Sequence, residues 1–348
     1  QVMRTESRGK SRAVSHAGPT EFPRLASWLG PEATAALPLL STFVGMVCPG
    51  LHSIFSSVSL KPGQGERGRA QVRFDVDRYD ERFHLFHVSF DGALRGALSA
   101  FQRPPPQSQP TMAQLAGRVA ADEFADVRAL VIGASRGLGE TVAKLLAGGG
   151  ADVTAGYAHG HDDAQRVAAE IEALRPGRSR ILHVDVTLAD WLERLPFERL
   201  DAIYLFATPR IGRKKAGAYV PAVFAEFVAS YVDVLHALCD HVERRRLPHR
   251  IEVCVPSTVF IDERPDGFAE YAMAKAAMEV LAAEINRTCR RVRVHAPRLP
   301  RLSTDQTASV LKLATADTVD ALLPILRTMA DRSRTATARR DTPAPPAD

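Results

Sequence analysis

Apolar and polar residues follow two different patterns along the chain, and the pattern changes near residue 126. Beyond that point, short apolar runs of strand length alternate with longer stretches of helical periodicity. The predicted strands are a run ending at Ile132 and others at 151–157, 180–184, 202–207, 251–255 and 292–296, and the predicted helices are 140–147, 161–174, 224–244 and 271–287. Strands that alternate with helices are typical of a parallel sheet. The pattern therefore predicts an α/β fold over 126–330, a Rossmann-type, doubly wound parallel sheet without an evident seventh strand.

The pattern of residues 21–103 is different and predicts a small α+β domain. An apolar stretch contains Pro49-Gly50, which is expected to start a helix that runs to Leu60. Three β-like runs follow at 71–76, 83–90 and 93–101. Asp91-Gly92, just before the last run, is a strong hairpin signal.

Three further segments are predicted to lie outside both domains. Residues 1–20 are polar and aperiodic, and they are expected to be a disordered lead. Residues 104–125 begin with three prolines, which predicts a stiff linker. Residues 331–348 are rich in Ala, Pro, Thr and Arg, and they are expected to be a disordered tail.

Three glycines follow the first predicted strand of the sheet. Gly133, Gly137 and Gly139 lack side chains, so the backbone can turn tightly, approach a pyrophosphate and let the next helix pack close to the strand. The anion would lie at the helix N-terminus. Nucleotide binding is the leading hypothesis, and a tight strand-helix turn without a ligand is its plain alternative.

Three polar side chains lie where a parallel sheet gathers its chemistry, at the carboxyl ends of its strands. Ser257 follows the fifth strand, while Tyr271 and Lys275 are four residues apart on one helix face. An ammonium near a phenol favours the phenolate and is expected to lower the pKa of the tyrosine. The tyrosine would then donate a proton while the serine holds a carbonyl oxygen.

With these motifs, residues 126–330 resemble the short-chain dehydrogenase/reductase superfamily. The matching pieces are Gly133-Ala-Ser-Arg-Gly-Leu-Gly139, Asp185-Val186, Pro256-Ser257-Thr258 and Tyr271-Ala-Met-Ala-Lys275. The resemblance implies that Ser257 polarises a carbonyl, Tyr271 delivers a proton, and Lys275 holds the cofactor ribose and the charge of the tyrosine. It also implies that Asp185 meets the adenine and that Val186 packs against it. The remaining cofactor contacts it implies are Gly133, Ser135, Arg136, Gly137, Leu138, Gly139, Tyr157, Ala207 and Pro297.

The sequence departs from the family pattern in three places. The usual Asn-Asn-Ala-Gly is here Phe206-Ala207-Thr208-Pro209, and the helical asparagine of the proton relay is replaced near Tyr231. The usual Pro-Gly after the sixth strand is Pro297-Arg298, which predicts a longer and more basic loop over the nicotinamide. These changes leave two readings open, a working reductase with a variant site or a nucleotide-binding relic.

Charge favours NADP over NAD as the cofactor. An NAD site commonly ends its second strand with a carboxylate, whereas Tyr157-Ala-His-Gly-His161 has no acid before Asp162. A 2′-phosphate would meet no repulsion there, and Arg136 in the glycine loop could pair with it. A solvated loop arginine is the plain alternative.

One apolar helix followed by a meander of strands resembles the later half of a hotdog fold, found in acyl-thioester dehydratases and thioesterases. The resemblance covers 40–103, and Gly45–Ser53 would be the turn into the central helix. Such dehydratases need a His with an Asp or Glu. Ile54, Phe55 and Ser56 stand where an acid is sought, which leaves His52 as the only titratable candidate. A packing role for His52 is the alternative, and because the early strands are not evident, this part could depend on a second subunit.

Composition is consistent with two ordinary domains. The chain has 348 residues, 45% of them hydrophobic. It contains no run of about 18 apolar residues and no signal-like start, so neither a membrane span nor a leader is expected. Four cysteines without metal spacing predict reduced thiols in a cytoplasm and no metal site. The net charge of +5 includes arginine clusters without interleaved aromatics, which disfavours nucleic-acid binding.

The sequence thus predicts an NADPH-dependent ketoreductase joined to an acyl-binding remnant. The expected substrate is a 3-oxoacyl thioester, free or on a carrier protein that Arg210 and Arg298 could attract. The alternatives are a non-catalytic NADP-binding scaffold or regulator and an enoyl-thioester dehydratase at His52. By resemblance, the protein is expected to be a homo-oligomer that pairs through the helices beside the catalytic tyrosine.

Overall fold

The computed structural model describes residues 10–15, 22–64, 70–102, 107–212, 219–304 and 315–338. The described residues form two compact units, one before residue 103 and the other from residue 107 onward. Each unit has its own hydrophobic core.

The first unit is an antiparallel sheet with helices packed on it. Its elements are β1 (Lys10–Ser15), α1 (Pro23–Leu29), α2 (Pro31–Thr42), β2 (Ser53–Pro62), β3 (Ala70–Asp80), β4 (Leu85–Gly92) and β5 (Leu94–Gln102). The strand order is β1-β3-β4-β5-β2, and every neighbouring pair is antiparallel. Alternate residues of β3, such as Val72 and Phe74, face the core. The ring of Phe43, in a π turn that continues α2, stacks on Phe74 with centroids 4.0 Å apart.

The helix of this unit does not lie where the sequence predicts it. The expected helix from Pro49 to Leu60 is wrong, because α2 and its π turn end at Val47 and β2 follows. Gly50 has a left-handed φ of 87° and donates its N–H to the Val44 carbonyl at 2.9 Å, as glycines do at helix ends. The residues sought as acids on that helix, 54–56, are therefore strand residues.

The prediction of a disordered lead over residues 1–20 is also corrected in part. Residues 10–15, within the expected disordered lead, form β1 and pair with β3. The rest of that lead, 1–9 and 16–20, lies outside the described residues. The hotdog interpretation of this unit stays a prediction.

The second unit confirms the predicted α/β fold. Its main sheet contains β6 (Arg128–Ile132), β7 (Asp152–Tyr157), β8 (Ser179–His183), β9 (Ala202–Leu205), β10 (Ile251–Cys254) and β12 (Val292–His295). All six strands are parallel, in the order β12-β10-β9-β6-β7-β8. A small parallel pair, β11 (Ser257–Thr258) with β13 (Arg298–Leu299), extends beyond them. The strand order reverses at β6, where ligands bind outside the carboxyl ends of such sheets.

Helices cover both faces of the main sheet. They are α3 (Met112–Leu115), α4 (Gly137–Gly148), α5 (His161–Leu174), α6 (Pro221–Val228), α7 (Val234–Arg245), α8 (Phe260–Glu263), α9 (Ala269–Thr288) and α10 (Thr318–Ala338). Successive residues of β6 enter two different core clusters, one with α4, α5 and α10 and the other with α7 and α9. This two-sided packing explains the apolar runs of the strands.

Two of the expected flexible segments belong partly to this unit. The predicted linker over 104–125 is wrong for its described part, because Met112, Leu115 and Phe124 are buried in the core. The predicted tail over 331–348 is wrong as far as residue 338, since α10 continues to Ala338. Residues 104–106 and 339–348 lie outside the described residues.

One helical stretch in the described part of the chain, Pro221–Arg245, is long and apolar enough to cross a membrane by length and composition alone. It comprises α6, a π turn at Ala229–Asp233, and α7. Its inner side chains, including Phe227, Leu235 and Leu238, lie in the core of the second unit.

Candidate active site

The glycine turn has the close backbone contacts that the sequence predicts. Gly133 has a φ of 87°, and a Cβ there would lie 2.9 Å from the Ala207 backbone nitrogen. A Cβ on Gly139 would lie 2.2 Å from the Gly133 carbonyl oxygen. Gly137 starts α4 with a φ of 60°, and a Cβ there would lie 3.9 Å from Thr304 Cγ2, an ordinary contact distance. Strand, turn and helix therefore lie too close for side chains at 133 and 139.

The N-terminus of α4 is suited to an anion. Its N-cap residue, Arg136, makes no side-chain capping hydrogen bond. The first-turn N–H groups therefore face outward with the positive end of the helix dipole. Ser135 lies beside Gly160, since a Cβ built there would be 3.2 Å from its Oγ. Leu138 packs against the core below.

The end of β7 carries aromatic and imidazole groups. The Tyr157 hydroxyl and His161 Nδ1 are 2.7 Å apart, and the Tyr157 ring also meets His183 edge-on at 5.5 Å. Arg136 Nε lies 3.5 Å from Asp163, and both side chains are largely exposed. Arg136 is thus close to the place where a 2′-phosphate is expected. To bind that phosphate, Arg136 would have to give up its ion pair with Asp163.

Asp185 and Val186 follow β8, next in the sheet. Asp185 Oδ1 accepts hydrogen bonds from the Thr187 N–H at 3.0 Å and the Thr187 hydroxyl at 2.7 Å. These bonds lower the pKa of Asp185 below its ordinary value, so the carboxylate stays charged. Val186 packs partly buried against the core. Their predicted contacts with an adenine stay predictions.

The segment after β9 connects the glycine turn to the interior of the site. Ala207 is the residue against which Gly133 packs. The next side chain, Thr208, shares a hydrogen bond with the hydroxyl of Tyr231. Tyr231 lies in the π turn Ala229–Asp233 and is 3% exposed, so its ring fills the region where the sequence expects the missing asparagine.

The structure does not bring Ser257 to the predicted tyrosine. Ser257 Oγ donates a hydrogen bond to Glu279 Oε1 at 2.5 Å. The next residue of β11, Thr258, is the one whose side chain interacts with Tyr271 and acts to lower its pKa, while its Oγ1 accepts the Phe260 N–H at 3.2 Å. Successive strand residues point to opposite sides, which is why only one of the two hydroxyls can reach the phenol. The sequence reasoning missed Thr258, although this alternation was the signal that could have found it.

Tyr271 lies among aromatic rings. Phe227, Tyr231 and Phe260 meet it edge-on, with centroids 5.6, 6.0 and 6.2 Å away. Burial raises the pKa of Tyr271 above its ordinary value, and the interaction with the Thr258 side chain opposes this only in part. The expected lowering of the pKa by Lys275 is therefore wrong for this structure. The phenol stays protonated at neutral pH.

Lys275 is buried below Tyr271. Its Nζ donates a hydrogen bond to the Pro256 carbonyl at 2.6 Å and lies 3.6 Å from the centroid of the Tyr231 ring. The Nζ is 6.0 Å from the centroid of the Tyr271 ring. Burial lowers the pKa of Lys275 to about 7. The ammonium thus interacts most closely with a carbonyl dipole and an aromatic face.

The loop after β12 is held by ion pairs, which neutralise the positive charge that the sequence predicts for it. The Pro297 carbonyl accepts the Ser257 N–H at 2.8 Å. Arg298 donates to both oxygens of Glu279, at 2.8 and 2.6 Å, and to Asp262 at 2.6 Å. With two carboxylate partners, Arg298 is not the free cation that the sequence suggests for attracting a phosphorylated carrier.

No group of three or more His, Cys, Asp or Glu side chains within the described ranges could hold a metal ion.

A short chain dehydrogenase family model matches residues 128–203, which run from β6 into β9. No curated protein matches the chain significantly. These findings do not support the hotdog interpretation of the first unit, which remains a prediction.

Solved structures match a larger part of the chain. A short chain dehydrogenase from Burkholderia cenocepacia in complex with NADP is 22% identical, with a TM-score of 0.52 over 61% of this chain and 94% of that one. The landomycin C-6 ketoreductase LanV, with bound NADP and rabelomycin, is also 22% identical, with a TM-score of 0.51 over 64% and 94%. The reductase LugOII, named for keto-reduction at C1 during lugdunomycin biosynthesis, is 20% identical, with a TM-score of 0.50 over 61% and 94%. At such identities the likeness concerns architecture, and the second unit has the fold of the short-chain dehydrogenases.

Proposed function

We propose that the protein is an NADP-dependent oxidoreductase that reduces a ketone to an alcohol with NADPH. One observation carries the proposal: a protonated phenol, Tyr271, lies beside the Thr258 side chain at the sheet edge that also bears the glycine turn. A chain of contacts through Ala207, Thr208 and Tyr231 joins the two features.

The residues at this edge fit a dinucleotide. The turn over 133–139 would hold the pyrophosphate through backbone N–H groups, with Ser135 and Leu138 beside it. Arg136, Tyr157 and His161 would receive the 2′-phosphate, which favours NADP because no acid ends β7. Asp185 and Val186 would meet the adenine. Ala207, Lys275 and Pro297 would line the nicotinamide half, where the cofactor supplies a hydride.

The proton needed at the substrate oxygen would come from Tyr271. Its raised pKa keeps the hydroxyl protonated, and Thr258 orients the same oxygen from the neighbouring element. Thr258 thus takes the role that the family resemblance predicts for Ser257. Lys275, while charged, stabilises the phenolate that remains after proton transfer.

We propose a 3-oxoacyl thioester, free or carrier-bound, as the substrate. The rings of Phe227 and Phe260 give the site an apolar wall that suits an acyl chain. The choice of substrate class follows the hotdog interpretation of the first unit, which remains a prediction; the strands of that unit are antiparallel, in the order β1-β3-β4-β5-β2.

The test follows loss of NADPH absorbance with 3-oxoacyl thioesters of increasing length and with cyclic aromatic ketones. We expect turnover of the thioesters, its loss in Tyr271→Phe, and little activity with NADH. Turnover of the cyclic ketones but not of the thioesters would contradict the proposed thioester substrate and indicate a different class of ketone. A wild-type protein that reduces no ketone at all would contradict it.

A non-catalytic NADP-binding scaffold is the second candidate. It is favoured by one observation, the Tyr231 ring and the Thr208 hydroxyl in the place of the expected relay. Calorimetry with NADPH, combined with the assay, separates the two functions. Tight binding without reduction of any ketone would establish the scaffold.

Dehydration at His52 is the weakest alternative. His52 lies in the turn between the π turn and β2, with a φ of 67°. The one carboxylate of α2, Glu32, is in its first turn, about 20 Å along the helix from that end. A pair of His52 and Glu32 in one subunit is therefore too far apart. Enoyl-thioester hydration retained in His52→Ala would remove this alternative.

We also propose a homo-oligomer that pairs through α6 and α9. Val223, Met273 and Val280 are exposed apolar residues on these helices, and Val280 is 72% exposed. Mass measurement in solution tests this pairing, and a monomer would contradict it. Cytoplasmic location, with four unpaired thiols, and the absence of nucleic-acid and membrane partners remain part of the proposal.

A further inference from the structure

The segment that enters the second unit, residues 107–112, is fixed to the helices behind the glycine turn. Lys144, on α4 and 1% exposed, donates from Nζ to the Pro110 carbonyl at 3.2 Å. The same Nζ is 2.7 Å from Glu140 and 2.6 Å from Glu170. Glu170 in turn accepts the Met112 N–H at 2.6 Å. A buried ion cluster therefore sets the position of this segment relative to α4 and α5.

Gln109, on this segment, contacts two parts of the proposed cofactor site. It is 8% exposed, and both ends of its amide are used. The Oε1 accepts a hydrogen bond from the Thr141 hydroxyl on α4 at 3.1 Å. The Nε2 donates to the Ser303 carbonyl at 3.1 Å. One buried side chain thus bridges the helix of the glycine turn and the loop after β13.

That loop comes close to the glycine turn at Gly137. The Ser303 hydroxyl donates to Gln107 at 3.0 Å, which adds a second bond to the same segment. The neighbouring Thr304 has the side chain closest to Gly137, with Cγ2 3.9 Å from where a Cβ would be. At its start, the loop is held by the Arg301 carbonyl, which accepts the Ala316 N–H at 3.0 Å. Ser303 and Thr304 therefore lie beside the uncapped start of α4.

We propose that Gln109 is a positioning residue for NADP(H), which holds the loop 301–304 beside the glycine turn and so determines the affinity for the dinucleotide. The inference rests on the proposed function and adds a determinant outside the glycine motif and the catalytic side chains. Without the amide, the Ser303 carbonyl loses this donor, the Thr141 hydroxyl is left with the Gly137 carbonyl 3.3 Å away, and Gln109 no longer ties the loop to α4. Affinity for the dinucleotide then decreases because the loop must be ordered on binding.

The test is calorimetric titration of the full chain with NADPH. Gln109→Met keeps the length and volume of the side chain but removes both hydrogen bonds. Gln114→Ala is the matched control, because Gln114 lies just beyond this segment, in α3, and its side chain accepts the N–H of Thr111, three residues away, at 2.8 Å. We expect Gln109→Met to raise the Kd for NADPH about tenfold and the control to leave it unchanged.

Equal dissociation constants for Gln109→Met and Gln114→Ala would overturn the inference while leaving the proposed function intact. A wild-type protein that binds no NADPH would instead overturn the proposed function. If Gln109→Met does not fold, hydrogen exchange of the wild-type protein, measured with and without NADPH, tests the inference instead. Bound NADPH should slow exchange in both 107–111 and 301–304, and protection of the glycine turn alone would contradict the role of Gln109.

Discussion

The two halves of the cleft in the second unit are built by different means. The half at the glycine turn is shaped by backbone, because Gly133 and Gly139 leave no room for a Cβ against neighbouring main chain. The half at Tyr271 is shaped by side chains, with three aromatic rings around the phenol and a buried amine below it. The first half selects a ligand by close approach, whereas the second sets protonation states by burial.

This difference implies that binding and chemistry can be separated by mutation. Steric changes at the turn should alter affinity, and polar changes at Tyr271 should alter turnover with affinity preserved. A variant that changes affinity and turnover in the same proportion would contradict this separation of binding from chemistry.

The largest effect is expected for Tyr271→Phe. This change removes the proton donor but keeps the aromatic packing with Phe227 and Tyr231. We expect kcat to fall about a thousandfold, within the range for loss of a general acid, with the Kd for NADPH unchanged. Steady-state assays and calorimetry measure the two quantities. Retention of most of the activity would show that the proton comes from another group.

Gly139→Ala should act on the other half. Its Cβ would lie 2.2 Å from the Gly133 carbonyl, so the turn and the helix must separate. We expect NADPH affinity to fall at least about a hundredfold, a loss of roughly 3 kcal/mol. Gly148→Ala, at the other end of α4, is the control, since its Cβ would meet Val119 at an ordinary 3.4 Å. Equal binding by the two variants would contradict the steric role of Gly139.

The two adjacent hydroxyls of β11 give a matched pair of smaller changes. Thr258→Val removes the hydroxyl that reaches Tyr271, and we expect kcat to fall about thirtyfold, as for loss of a hydrogen bond in the transition state. Ser257→Ala removes only the bond to Glu279 and should cost a few-fold at most. The reverse order of effects would restore the serine to the role that the sequence predicts.

A smaller effect than that of Thr258→Val is expected from a pH dependence set by Lys275. Its pKa of about 7 means that the ammonium is present below that pH and lost above it, while Tyr271 remains protonated throughout. We expect kcat to fall about tenfold between roughly pH 6 and pH 8, as one group titrates. A flat profile across that range would show that the charge of Lys275 does not support turnover.

The same lysine should reduce folding stability, which Lys275→Met can show. In the unfolded chain the amine keeps its proton up to its ordinary pKa of 10.5, whereas the folded protein releases it near 7. Between these values the unfolded state binds more protons, so the contribution of Lys275 to stability increases with pH. Lys275→Met should raise the free energy of unfolding at neutral pH by roughly 1–4 kcal/mol. A less stable variant would contradict the low pKa.

Sequence pattern predicted the second unit better than the first for a physical reason. Parallel strands buried on both faces read as apolar runs, and helices such as His161–Leu174 show their periodicity directly. In the first unit, an apolar stretch held both the end of α2 and the start of β2, and Pro49-Gly50 was compatible with a helix start or a helix end. Only the contact of Gly50 with Val44 distinguishes these.

In the site, the sequence predicted residues that depend on local spacing and missed those that depend on tertiary contacts. The glycines and the pair Tyr271 and Lys275 follow from spacing along one element. The partner of Ser257, by contrast, lies 22 residues away on α9, and the partner of Gln109 lies 194 residues away in the loop after β13. No local pattern carries such pairings. The predicted direction of the Tyr271 pKa shift is wrong for the same reason. Spacing along the helix places the charge of Lys275 near the phenol, but burial by tertiary contacts has the larger effect on the pKa.

The most decisive measurement is a crystal structure of the protein with bound NADP. We predict that the pyrophosphate lies at the turn over 133–139 and that the nicotinamide C4 faces the Tyr271 hydroxyl, with Thr258 beside the same oxygen. A nucleotide absent from the turn, or a nicotinamide on the far side of Tyr231 from Tyr271, would contradict the proposed reductase.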